Sequence, residues 1–125
     1  MNRRLVIGYA ALRIGYAVAL LAAPGRTARP WLGGVAEEAG TTIAVRGLGV
    51  RDLVISGGAA ASAASDRSAR AWLAACAASD AVDLIATLVA DGDCLPSKSK
   101  PGTVVAAGVF GATAAALAAS ERDGQ

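Results

Sequence analysis

Four apolar stretches, residues 5–23, 42–64, 69–90 and 103–119, take up most of this chain and constrain its fold more than any other feature. Each has about 17 to 23 residues, the length an α-helix needs to cross a hydrocarbon core of about 30 Å. Pro24, Pro30, Pro96 and Pro101 all lie between the stretches, where they and nearby glycines stop helices. Four amphipathic helices packed in water would each carry one apolar stripe and one charged face. The fourth stretch, "TVVAAGVFGATAAALAAS", has no charge on any face, and past Arg70 the third is interrupted only by Cys76, Ser79, Asp80, Asp83 and Thr87. The expected fold is an all-α integral membrane four-helix bundle with a polar, charged interior. It forms one domain over residues 1–125, with the lipid bilayer as its principal partner and a multi-pass place in the cell membrane.

Composition supports this and removes several functions. Apolar residues make up 54% of the 125 positions, and alanine alone contributes about a quarter. The net charge is only +2, and no basic stripe with interleaved aromatics is present, which argues against a nucleic-acid partner. There is no histidine, so imidazole metal sites, serine-type triads and the usual near-neutral proton shuttle are absent. Cys76 and Cys94 are eighteen positions apart, about 25 Å if that stretch is mostly helix, too far for a disulfide. "DGDC", residues 91–94, echoes the start of a calcium loop but lacks its later ligands and reads as a solvated turn. No metal and no cofactor is expected.

Charges inside the spans are the informative exceptions. "IAVRGLGVRDLVISGGAA" places Arg46, Arg51 and Asp52 within an otherwise apolar run. A central Arg or Asp costs roughly 2.5–3.5 kcal/mol on insertion scales, while each Leu, Ile or Val returns about 0.3–0.6. Seven such residues between Ile43 and Ile55 do not offset three charges, so this span needs partners that neutralise it.

Helical spacing gathers the polar residues into seams. Tyr9, Arg13 and Tyr16 share a face in the first span, Asp52 and Ser56 in the second, and Cys76, Asp80, Asp83 and Thr87 in the third. Such narrow seams face one another when the apolar faces meet lipid. Arg13, Arg46 and Arg51 balance Asp52, Asp80 and Asp83. The expected pairing is Arg46 with Asp83 and Arg51 with Asp80, completed by Arg13 and Asp52. Gly47, Gly49, Gly57 and Gly58 are expected to permit close helix contact.

The opening "MNRR" followed by an apolar run has the look of a signal peptide, but Arg13 interrupts the run and a retained first helix is expected. Arg3, Arg4, Arg67, Arg70 and Arg122 fall at one end and Arg26, Arg29, Lys98 and Lys100 at the other. Positive-inside counting then puts both termini in the cytoplasm. Trp31 and Trp72 are candidate interfacial anchors, and "RPWLGGVAEEAG" a candidate surface helix.

The early Arg13, the "AAPGR" and "WLGG" that follow it, "RGLGVRDL" at residues 46–53 and "DAVD" at 80–83 resemble the small bacterial membrane proteins of the domain-of-unknown-function 4267 family. More loosely, the chain is similar to the DoxX-like membrane proteins. The resemblance implies four membrane helices and supplies no reaction.

Two functional classes follow. In one, the chain is a structural or ligand-binding membrane module whose charges hold the helices together, with room for a homo-oligomer or a membrane partner. In the other, Asp80 and Asp83 share a proton and serve a membrane enzyme or proton-coupled transporter acting on a lipid-like or small substrate, oriented by Tyr9 and Tyr16. A cavity reaching Asp80 favours the second class, and a sealed ion-pair network the first.

Overall fold

The computed structural model describes residues 2–121, and these contain helices and no strand. Four long helices cover the four apolar stretches: α1 (Arg3–Ala22), α3 (Ala39–Ala64), α4 (Arg70–Val89) and α5 (Ser99–Ser120). A short α2 (Pro24–Leu32) follows α1. Three of these helices, α1, α4 and α5, are long and apolar enough to cross a membrane. The charges of α3 set it apart from them.

The helix limits follow from local chemistry. The Asn2 side chain accepts from the Leu5 amide at the start of α1. Pro24 ends α1 and supplies the preset φ of the first turn of α2, where no amide partner is needed. Gly33 closes α2 at φ +73°, a left-handed conformation that glycine adopts without strain. The segment expected as a surface helix is therefore split into α2, a 3-10 turn over Gly33–Glu37 and the start of α3. At the end of α3, Asp66 takes the left-handed position (φ 53°), with the Arg67 amide donating back to the Ser62 carbonyl at 2.9 Å and that of Asp66 to Ala63 at 3.3 Å. This paired closure satisfies the last carbonyls of α3.

Side-chain contacts between helix ends give the topology. Arg3 bonds Asp66 and the Ala64 carbonyl, so α1 and α3 run antiparallel. Lys100 reaches the Leu88 and Ala90 carbonyls, and Glu121 reaches Ser68 and the Ala69 amide, so α4 and α5 do the same. α1 packs chiefly on α3, and α4 on α5, and α3 joins the two pairs through α4. At Gly49 a Cβ would lie 3.0 Å from the Ala17 carbonyl, and at Gly58 one would lie 2.4 Å from the Trp72 indole. These two glycines permit the close contact expected of them, whereas Gly47 and Gly57 face open space.

The interior is made of small and polar groups, including Ala10, Ala17, Ala59, Cys76 and Ser56. Leu73, Val6 and Val45 are the large apolar side chains buried completely. Other large ones point outward: Leu12 on α1, Ile43 and Val54 on α3, Val82 and Ile85 on α4, Val105 and Val109 on α5. This inverts the arrangement in which apolar side chains leave water for a core.

Candidate functional site

Halfway along α1, Arg13 is 7% exposed, and the seam that carries it turns into the space between α3 and α4. Its Nη1 donates to both oxygens of Asp80 on α4, at 2.9 and 2.7 Å. Its Nε donates to the Ser56 hydroxyl at 3.3 Å, and Nη1 also reaches the Tyr9 hydroxyl at 3.4 Å. Tyr9 donates onward to the Phe110 carbonyl of α5 at 3.2 Å. One guanidinium thus ties together α1, α3 and α4, and through Tyr9 it reaches α5.

A second cluster adjoins the first. Arg51 meets Asp83 as a fork on a fork, Nη1 to Oδ1 at 3.1 Å and Nη2 to Oδ2 at 2.7 Å. Such bidentate pairs combine charge with fixed geometry. Asp52 joins the clusters through one oxygen: its Oδ1 accepts from Arg51 Nε at 3.0 Å and lies 3.7 Å from Arg13 Nη2. Among the described residues, every buried side-chain nitrogen or oxygen has a hydrogen-bond partner.

The expected pairing changes in three places. Asp80 pairs with Arg13 rather than Arg51, and Asp83 pairs with Arg51 rather than Arg46. Arg46 lies outside the network: it is exposed, and its Nε donates to the Leu21 carbonyl at 3.2 Å. It satisfies an end carbonyl of α1, a helix-capping role. The reason is legible in the spacing. Residues five apart point about 140° from each other at about 100° per residue, so Arg46 and Arg51 cannot face the same partner helix. Arg46 also adds to the basic end formed by Arg26, Arg29, Lys98 and Lys100, while Arg122 lies outside the described residues.

A cavity of about 480 Å³ opens onto this network, lined by Arg13, Arg51, Asp52, Asp80 and Asp83. Its volume lies in the range of about 300–1,000 Å³ typical of small-molecule sites. Leu12, Leu20 and Leu48 form apolar wall on one side, and the Thr103, Ala106 and Ala107 face of α5 the other. Of the two tyrosines singled out from the sequence, Tyr16 lines this cavity, while Tyr9 lies behind Arg13 as a hydrogen-bond partner.

Trp31, expected as an interfacial anchor, has a different place. Its indole nitrogen donates to Thr87 at 2.9 Å, its carbonyl accepts from the Ser99 hydroxyl at 2.6 Å, and its ring lines the cavity. α2 therefore closes one end of the site. The α5 lining had no charge or motif to reveal it. The signal available was the run of small residues at helical spacing, Gly102, Ala106 and Phe110, with the ring at its end.

Among the described residues no cluster of three His, Cys, Asp or Glu side chains is arranged to hold a metal, because arginines occupy the carboxylates. Cys76 is buried and Cys94 exposed, both as free thiols. No family model matches the chain, and neither the curated proteins nor the solved structures compared with it include a match.

Proposed function

We propose that this chain is a multi-pass integral membrane protein in which α1, α3, α4 and α5 form a four-helix bundle that holds a small ligand in the cavity above its Arg/Asp network. The observation that carries the reading is the cavity itself, which combines apolar walls with a charged floor. The inverted distribution of side chains supports the membrane part, since large aliphatic groups face outward on all four long helices. α3 then enters the bilayer with its charges already paired to α1 and α4, which offsets the cost of carrying them. The same reading aligns the chain with the domain-of-unknown-function 4267 proteins, on the strength of "RGLGVRDL" and "DAVD".

The cavity reaches Asp80 and Asp83, which argues against a sealed, purely structural network. Both oxygens of each carboxylate already receive arginine donors, however. A carboxylate held in this way is a poor general base, because taking a proton means giving up a charge-assisted bond. Binding is therefore favoured over acid–base catalysis or proton transport at this pair.

The membrane reading is tested with the two thiols. In cells expressing the protein, a membrane-impermeant maleimide should label Cys94 from one side only and leave Cys76 unlabelled until the membrane is dissolved and the protein unfolded. The side on which Cys94 reacts fixes the orientation. Recovery of the protein in the soluble fraction, with Cys94 labelled without regard to sidedness, would refute the reading.

A further inference from the structure

The network that floors the cavity does not balance. Two guanidinium groups, Arg13 and Arg51, face three carboxylates, Asp52, Asp80 and Asp83. Asp80 and Asp83 each use both oxygens. Asp52 does not: every donor that reaches it does so at Oδ1, and no donor among the described residues reaches Oδ2. Asp52 is 7% exposed, and the exposure it keeps is at a cavity wall. Every sealed side-chain oxygen among the described residues has a partner, so Oδ2 is an open one, an acceptor left available to whatever enters the cavity.

The other lining groups fit the same partner. This chain has five aromatic side chains, and three of them, Tyr16, Trp31 and Phe110, line the cavity. Aromatic faces attract a cation when it is out of water. Arg51 directs its donors at Asp52 and Asp83, and Arg13 directs its own at Asp80, Ser56 and Tyr9 with Asp52 beside it, which leaves little to attract an anion. Lys98 also lines the cavity, at the N-terminal end of α5 and about 18 Å from Phe110 at 1.5 Å per residue, and forms no salt bridge with Asp52 among the described residues.

Resting on the ligand-cavity reading above, we propose that the occupant is a cationic amphiphile: an organic amine whose ammonium group meets Asp52 and whose apolar body lies along the Leu12, Leu20, Leu48 and α5 walls. The ammonium supplies the missing donor at Oδ2 and brings the network to charge balance. A neutral or anionic amphiphile of the same length does neither.

Trp31 provides the readout. The protein is placed in nanodiscs of uncharged lipid and titrated with octylamine, octanol and octanoate, each corrected for its partition into lipid, while tryptophan fluorescence is followed. A Trp31→Phe protein identifies the part of the signal that comes from the cavity. Octylamine is expected to saturate the Trp31 signal at a concentration at least tenfold below octanol, with octanoate weakest. In Asp52→Asn the amine should no longer rank above the alcohol. Should that variant not assemble, the ranking of the three probes on the native protein decides alone. Equal binding of amine and alcohol would overturn the cationic assignment and leave the cavity reading standing. No Trp31 response to any probe would overturn both.

Discussion

Arg13 and Asp80 are sixty-seven positions apart in the chain, yet Nη1 of the one lies 2.9 and 2.7 Å from the two oxygens of the other. They connect α1 to α4, which belong to different antiparallel pairs. Through Arg13 the pair also engages Ser56, Tyr9 and Asp52. A charged network thus joins the two helix pairs at the centre of the molecule.

Removing one partner of this pair should be severe. Asp80→Asn strips the Arg13 guanidinium of its closest acceptor and should cost about 3–5 kcal/mol, the range for breaking a buried pair from one side. Arg13→Gln should cost at least as much, since it leaves Asp80 without its arginine and also removes the donors to Ser56 and Tyr9, while Asp52 keeps Arg51. The double variant should recover part of the loss. Reversible unfolding in mixed micelles, arranged as a double-mutant cycle, measures the coupling.

Arg46→Gln should be mild although its residue type and segment match those of Arg51. It removes one exposed bond to the Leu21 carbonyl, a loss of about 0.5–1.5 kcal/mol. Arg51→Gln breaks the bidentate contact with Asp83 and the bond to Asp52, and should cost several-fold more. Melting temperatures of the two variants side by side test the corrected pairing.

Gly58 and Gly57 are neighbours with opposite tolerance. A methyl group at Gly58 would meet the Trp72 indole at 2.4–2.6 Å, so Gly58→Ala should displace the ring and cost about 1–3 kcal/mol, as overpacking does. Gly57→Ala meets nothing within 4 Å and should be neutral or slightly stabilising through helix propensity. Thermal stability in detergent separates them, and a shift in Trp72 emission should accompany only the first.

Glu121 closes the opposite end of α4 from Lys100. Its carboxylate accepts from the Ala69 amide at 3.3 Å and the Ser68 hydroxyl at 2.6 Å, so it serves as a helix cap supplied by another helix. Glu121→Ala should cost about 0.5–2 kcal/mol, the usual worth of a cap. Amide hydrogen exchange should show the loss as fraying of the first turn of α4, with the Arg13 network unaffected.

The sequence alone determined where the four long helices run and which of their faces are polar. Both are local properties: apolar length and proline placement set the helices, and residues three and four apart must share a face. The seam of Tyr9 and Arg13, the face shared by Asp52 and Ser56, and the stripe containing Cys76, Asp80 and Thr87 could be read from spacing. Tertiary structure decided which arginine meets which aspartate, because that depends on the axial offset and rotation of one helix against another. Packing sets these, here the approach of α1 to Gly49 and of Trp72 to Gly58. It also decided that the cavity includes Trp31 and the bland face of α5. A void is made by what several helices fail to fill together, and no single stretch of sequence encodes it.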